Sequence, residues 1–482
     1  MTEKKDPVKV AVVGGGIAGA TVALYLSELG VNVELLEKGP SLVNGPPICH
    51  LHAGGNLYRE ISDQQCITLL AESIDLLRLY PHAADYRPTV IAVPKKDSGT
   101  PESLMPRLKT LQAEYQRLIE QDNANKVLGD SADYFKLFTR KEVEALALLE
   151  PVTMPKTLTE WMIPVAKNVD LSTLKFPLVM VQEYGLNVFR LAANASLSLE
   201  LNPHSHIHTN SRVNNIQASS PQQGWDIDYQ QAGVDKTLHC DYLINAAGFR
   251  TGTVDDLLGF KNERLVEFKA AYVCKWDDCA YLWPEVIFHG ERGTPDGMAQ
   301  FTPYPNGYFQ LHGMTENITL FNGGLVQSNT ISAQPKLADS FINKIDKSWS
   351  ESEVNERTQS AIEHLTPYIP QFASATVASK PLFGAQQIPG GDPTLRAADV
   401  SFVGEYYARC EIVKASSVLK VADEITKQLI KLGCLEERSL GNRSFIITKS
   451  ISEADITKRA EQLTNERNYP DSLANRNIAQ QA

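Results

Sequence analysis

The sequence predicts an α/β protein built from two interleaved domains. Three observations carry this prediction. The chain has 482 residues, enough for two or three domains. Its first forty residues read strand, glycine-rich turn, helix, strand, acid. A second apolar strand, ending in Ala-Ala-Gly, returns about 200 residues later. Hydrophobic residues make up 43% and charged residues 21%, ordinary globular usage that excludes a disordered or disulfide-scaffold chain.

Each N-terminal part has a separate physical task. Lys9-Val-Ala-Val-Val13 is a short β-branched run of the kind buried in a parallel sheet. Gly14-Gly-Gly16-Ile17-Ala18-Gly19 follows at once. Ala20 to Leu29 reads as a helix stopped by Gly30, and Val31 to Leu36 as a second strand with Glu37 at its end. Gly14 permits the tight turn, Gly16 the approach of a pyrophosphate, and Gly19 close packing of helix on strand. The helix N-terminus offers N–H groups to the phosphates. Glu37, eighteen residues past Gly19, is placed to accept hydrogen bonds from an adenosine ribose. With its full βαβ context the motif predicts a bound dinucleotide.

The charged opening, Lys4 and Lys5 before the apolar run Val10 to Leu26, looks superficially like a signal peptide. Four glycines and Glu28 fit the turn and helix better. No other stretch reaches the ~18 apolar residues of a spanning helix, so the protein is expected to be soluble or at most attached to a membrane surface. Net charge is −11, so no basic field exists to displace counterions, and nucleic acid is not an expected partner. Seven scattered cysteines without a CxxC pair fit a reducing, cytoplasmic compartment. The Cys274 and Cys279 spacing is poor for zinc. His204, His206 and His208 alternate along one strand face, but no carboxylate or cysteine completes a metal set in the sequence, and a solvated face is the better reading. No metal is expected.

The returning strand is His239-Cys-Asp-Tyr-Leu-Ile-Asn-Ala246-Ala247-Gly248, whose small residues admit close backbone approach. It resembles the second fingerprint of two-domain flavoproteins. Upstream, a helix over 192–199 and a strand over 207–216, which carries Val213, match a further layer of such a domain. His50-Leu-His52-Ala53-Gly54-Gly55-Asn-Leu-Tyr-Arg59-Glu60, followed by a helix from Gln64 to Leu79, resembles the segment that runs along the flavin in glycerol-3-phosphate and 2-hydroxyglutarate dehydrogenases. Val400 to Gly404, then Ala415 to Glu424, resembles a closing strand, turn and helix whose N-terminal end faces the flavin pyrimidine.

In order and spacing these segments resemble the D-amino-acid oxidase superfamily of FAD-dependent oxidoreductases. The resemblance implies a discontinuous Rossmann-like FAD domain of the glutathione-reductase type over 1–90, 165–260 and 375–432. A mixed-sheet substrate domain over 91–164 and 261–374 would form a roof above the isoalloxazine. Residues 433–482 are expected to be a polar extension, solvated by default, with a helix near Glu453 to Arg467. Two stretches depart from the family: Lys95 to Tyr134, a long insertion with a helix over 104–121, and Glu405 to Lys414, where the family has a glycine-rich turn.

The resemblance implies FAD contacts at Gly14, Gly16, Ile17, Ala18, Gly19, Glu37, Lys38, His52, Ala53, Gly54, Val213, Ala246, Ala247, Gly248 and Gly404. Arg409 and Lys414 are alternative cations at the flavin's carbonyl edge. His52 corresponds to a covalent flavin link in some relatives with a similar string. For catalysis and substrate binding the candidates are His52, Arg59, Tyr304, His312 and Lys380. Lys380 falls where many relatives place a substrate-binding arginine, and Arg250 is more structural than catalytic. Strands are expected over 267–274, 285–289, 299–304 and 308–314, with Asn306-Gly307 as a tight turn.

No second GxGxxG appears, so no nicotinamide domain is expected and electrons must leave to oxygen, a quinone or an electron-transfer protein. The expected activity is dehydrogenation of a small, anionic CH–OH substrate. A CH–NH substrate is the alternative, and a non-catalytic dinucleotide-binding module is the rival from another class.

Overall fold

The computed structural model describes residues 8–45, 61–219, 224–279, 281–396 and 400–477. In chain order the first half contains β1 (Lys9–Val13), α1 (Ile17–Glu28), β2 (Asn32–Leu36), α2 (Asp63–Leu79), β3 (Thr89–Ala92), α3 (Met105–Gln121), β4 (Phe135–Phe138), α4 (Arg140–Leu146) and α5 (Leu158–Asn168). Then come β5 (Leu178–Val181), α6 (Val188–Leu201), β6 (Ser205–His208), β7 (Ser211–Ala218), β8 (Trp225–Gln231), β9 (Val234–Cys240), β10 (Tyr242–Asn245) and α7 (Thr251–Leu257). The second half contains β11 (Arg264–Lys275), β12 (Glu285–Phe288), β13 (Ala299–Pro303), β14 (Tyr308–Gly313), β15 (Leu325–Gln327), α8 (Asp339–Asp346) and α9 (Glu351–Leu365). It ends with β16 (Leu382–Pro389), β17 (Val400–Phe402), β18 (Tyr407–Cys410), α10 (Val418–Lys431) and α11 (Glu453–Glu466).

Two sheets organise the molecule. The smaller has the order β17-β18-β10-β1-β2-β6. Its central strands are parallel and end together, with Val13 level with Leu36 and Asn245, and Asn245 level with Arg409. α1 is apolar on every side, and Ala18 to Ser27 are all buried. Such a helix needs partners all round, and α6 and α10 supply them. The larger sheet runs β15-β11-β14-β13-β12-β3-β5-β4, with β16 also paired to β11. α5 and α9 cover one of its faces through a core that includes Trp161, Ile362, Phe301 and Phe309.

Several expectations change. α1 begins at Ile17, directly after Gly16, because its small residues do not interrupt the helix. The strand expected over 207–216 is two strands, broken at Asn210, whose φ is +52°. One joins the parallel sheet and the other a three-stranded sheet, β7-β8-β9. The closing strand of the parallel sheet is Tyr407–Cys410, not Val400–Gly404; Val400–Phe402 is an antiparallel edge strand beside it. The domain boundaries move as well. β5, assigned to the first domain by sequence, pairs with β3 and β4, and β16 pairs along β11, so both belong to the large sheet.

The C-terminal extension is not a solvated tail. Ile456, Ala460 and Leu463 of α11 are buried, and α11 packs on α6. Leu473 and Ala474 are fully buried, and the Asn187 amide donates to the Leu473 carbonyl at 2.8 Å. Arg190, itself buried, pairs with Glu453 at 3.3 Å. A few apolar anchors inside a polar stretch decide the packing.

Candidate active site

At the C-terminal ends of β1 and β10 the backbones come close. Gly14 has φ +102°, and a Cβ there would fall 2.5 Å from the Ala246 carbonyl oxygen. A Cβ on Gly19 would fall 1.8 Å from the Gly14 carbonyl oxygen. Both positions exclude a side chain because protein already fills the space. Gly16 differs. It precedes α1 with ordinary extended φ and ψ of −66° and −174°, and a Cβ there meets no atom within 4 Å. The free space therefore lies over the helix N-terminus, where a diphosphate is stabilised by the exposed N–H groups. At the end of β2, the Glu37 carboxylate accepts from the Gly15 and Gly39 N–H groups at 2.6 and 2.5 Å. A carboxylate has about four lone-pair sites, so acceptor capacity remains for ribose hydroxyls.

The second half of the site is the face of the large sheet opposite α5 and α9. Strand alternation sends Phe301, Phe309, Leu311 and Tyr272 into the helix-covered core. Gln300, Thr302, Gln310, His312, Glu285 and Lys269 alternate onto the other face. That face is directed at the parallel-sheet domain, since Val273 of β11 and Leu382 of β16 pack into the latter's core. The exposed-polar, buried-apolar pattern of a one-sided sheet is absent: five of these polar groups are buried on their own side, and Lys269 is partly buried.

Charge is concentrated at two ends of this roof. At one, buried Arg87 pairs with Glu285 at 2.6 Å and with Asp85 at 3.4 Å. At the other, Glu267 bridges Lys269, at 2.6 Å, and Arg292. Burial pushes the Lys269 ammonium down to about 8, opposed by Glu267 and reinforced by Arg292 and Lys414. Lys414 directly precedes the turn that leads into α10, so this roof lysine and that helix N-terminus share one neighbourhood. Between the ends lie Gln300, Gln310 and His312. Gln310 is fully buried, and among the described residues neither its amide nitrogen nor its amide oxygen has a hydrogen-bond partner. A buried amide left this way costs about 1–3 kcal/mol, which marks it as a group waiting for a ligand atom.

The sequence model of the DAO family, FAD dependent oxidoreductase, matches residues 9–145. This part of the chain is similar to that family. The flavoprotein also resembles the glycerol-3-phosphate dehydrogenase from Bacillus halodurans, solved in complex with FAD. That likeness has a TM-score of 0.56 at 12% identity, over 98% of this chain and 74% of that one. Glycine oxidase from Geobacillus kaustophilus matches with TM-score 0.55 and 13% identity over 92% of this chain and 100% of that one. At such identities the likeness is one of fold. A 44-residue stretch, 9% of this chain, is 50% identical to the tRNA 5-methylaminomethyl-2-thiouridine biosynthesis bifunctional protein MnmC of Saccharophagus degradans. The stretch spans only 6% of that relative's length.

The cofactor of the family is FAD, and the residues of the cradle fit it. Ile17 and Ala18 open α1, and Ala246, Ala247 and Gly248 follow β10 at the same sheet end as Gly14. Val213, half-buried on β7, packs into a core between the parallel sheet and the three-stranded sheet. His52, Ala53, Gly54 and Arg59 lie outside the described residues.

Other expectations are corrected by the flavoprotein's structure. Gly404 sits in the turn joining β17 to β18, where the Val403 N–H donates to the Tyr407 carbonyl. β18 runs parallel to β10, so this turn lies at its start, the sheet end opposite Gly14. Arg409 is buried and bound to Asp255 at 2.6 Å in a core network with Arg264 and Glu411, so its charge is neutralised internally. Lys38 pairs with Asp346 at 3.0 Å, as does Arg250 at 2.9 Å. Lys380 lies 4.6 Å from the Tyr469 ring of the C-terminal extension, and burial, then Arg467, lowers its pKa. Tyr304 and Tyr308 flank the Asn306-Gly307 turn, whose φ values are +62° and +74°, and both pack toward the parallel-sheet core. Tyr304 also lines a cleft of about 600 Å³ beside Met154, Trp276 and Asn477. His208 pairs with Glu34 at 2.6 Å.

Arg87, Glu285, Gln300, Gln310, Lys269 and Arg292 were not found by sequence. The available signal was the polar half of each alternating strand, Gln300 and Thr302 against Phe301, Gln310 and His312 against Phe309 and Leu311.

Proposed function

We propose that this flavoprotein removes hydride from the CH–OH carbon of a small anionic substrate held between the FAD ring and the polar roof, and that its electrons leave to a non-nicotinamide acceptor. One observation carries the reading: a buried roof that combines a histidine with a cation-rich end. An alcohol must lose its O–H proton as hydride departs, so a base within the water-excluded site is required. A neutral amine has no such need. His312 supplies the base. Lys269 and Arg292 share a single carboxylate, Glu267, and their surplus positive charge suits a substrate carboxylate or phosphate. When bound, FAD supplies the hydride acceptor. Gly16 and the α1 N-terminus would hold its diphosphate, Glu37 its ribose, and Lys414 with the start of α10 its electron-rich edge.

The absence of a second nicotinamide motif in the sequence supports oxygen, a quinone or an electron-transfer protein as acceptor. The six described cysteines are free thiols, which supports a cytoplasmic site of action. No described helix is long and apolar enough to cross a membrane. The test is anaerobic mixing of purified yellow protein with hydroxy acids, glycerol 3-phosphate and amino acids. Bleaching by a hydroxy anion supports the proposal. Bleaching by amino acids alone transfers the reading to CH–NH chemistry, and bleaching by no donor overturns it. Acid precipitation of the same sample shows whether colour stays with the protein, as a covalent link through His52 requires.

A further inference from the structure

We infer that Glu285 and Gln300 are positioning residues that set the tautomer of His312, holding its proton on Nδ1 and its basic lone pair on Nε2. Gln300 and His312 are directly opposite each other on β13 and β14. The His312 Nδ1 lies 3.3 Å from the Gln300 Oε1. The other end of the same amide is committed: the Gln300 Nε2 donates to the Glu285 Oε1, and more weakly to the Thr302 hydroxyl at 3.3 Å. Glu285 is in turn salt-bridged through Oε2 to the Arg87 Nη1 at 2.6 Å.

The direction of this chain follows from donor and acceptor chemistry. A carboxylate held by a guanidinium only accepts, so the amide must present its NH₂ group to Glu285. Its oxygen is then the atom facing the imidazole. An amide oxygen also only accepts, so Nδ1 must carry hydrogen, and the neutral ring is left basic at Nε2. Arg87 thus acts on His312 through two intermediates, all buried on one face of the sheet. Without Glu285 the amide loses the acceptor that fixes its orientation, and an inverted amide would make Nδ1 an acceptor. The nitrogen carrying the lone pair would then be the wrong one for a substrate hydroxyl.

This inference rests on the proposed function for the use of that lone pair, but its test does not. Ring-nitrogen NMR of the flavin-loaded protein, labelled in histidine and assigned with His312→Gln, should show that the neutral form of His312 has a pyrrole-type Nδ1 and a pyridine-type Nε2. The opposite tautomer in the unmodified protein overturns the inference without any variant. Glu285→Gln, in which Arg87 keeps Asp85, should give a mixed or inverted tautomer. It should slow flavin reduction by roughly 10²-fold, the size of a general-base contribution, at nearly unchanged KM. An unchanged tautomer and rate would also overturn it. Should Glu285→Gln fail to fold, Gln300→Met removes the same link without touching the ion pair. The expected tautomer in a protein whose flavin no hydroxy compound bleaches would remove the proposed function and leave the inference standing.

Discussion

Gly16→Val separates holding the cofactor from holding the fold. In the structure Gly16 has a backbone conformation open to any residue, and a Cβ meets no atom within 4 Å. The variant should therefore fold. Its stability should change by about 1 kcal/mol or less, since a poorer helix cap is partly offset by a stiffer unfolded chain. The added methyl groups occupy the space over the α1 N-terminus that the diphosphate needs. Gly19→Ala is the control. Its Cβ would stand 1.8 Å from the Gly14 carbonyl oxygen, so α1 must retreat by about 1.2 Å to reach the 3.0 Å below which real Cβ contacts essentially do not occur. Overpacking of this kind costs about 1–3 kcal/mol or more. The assay is flavin content by visible absorbance, together with thermal unfolding with and without added FAD. Unmodified protein should be yellow and gain about 2.7 kcal/mol when FAD is present at 100 times its Kd. Gly16→Val should be colourless, unfold near the flavin-free parent, and gain nothing from FAD. Gly19→Ala should unfold earlier whether or not FAD is present. Stoichiometric flavin in Gly16→Val, or an unfolded Gly16→Val protein, would refute the placement of the diphosphate.

Three further outcomes are expected. Gln310→Met removes a buried amide with no partner among the described residues, so it should stabilise the flavin-free protein by about 1–3 kcal/mol while slowing flavin reduction about tenfold, checked by thermal unfolding and stopped-flow bleaching. Lys269, lowered by burial to about 8, is neutral in the native state but protonated in the unfolded chain between about pH 8 and its ordinary 10.5; its contribution to stability should rise with pH across that window. Unfolding midpoints measured against pH should lose this rise in Lys269→Met, and an anionic inhibitor should bind the unmodified protein more weakly above pH 8. Ile456→Ala opens a cavity where α11 meets α6 and should cost about 2–5 kcal/mol in denaturant unfolding, whereas a loss near zero would return the extension to the status of a solvated tail.

What the sequence determined by itself was the cradle. β1, Gly14, Gly16, Gly19, α1, β2 and Glu37 lie within thirty residues, and the constraints on them are local: a φ of +102° at Gly14, no room for a Cβ at Gly19, an acid at a strand end. The hairpin at Asn306-Gly307 was legible for the same reason. Tertiary structure decided the rest. Arg87, Glu285, Gln300, Gln310, His312 and Lys269 reach one surface from five separate segments of chain. Alternation shows that Gln300 and Phe301 point to opposite sides, but only the register of β13 against β12 and β14 shows which polar residues meet. The choice between Val400–Phe402 and Tyr407–Cys410 as closing strand was likewise made by pairing with β10. In the C-terminal extension a handful of buried residues outweighs a polar composition, because the free energy of packing depends on which surface a side chain covers and not on the average character of its neighbours.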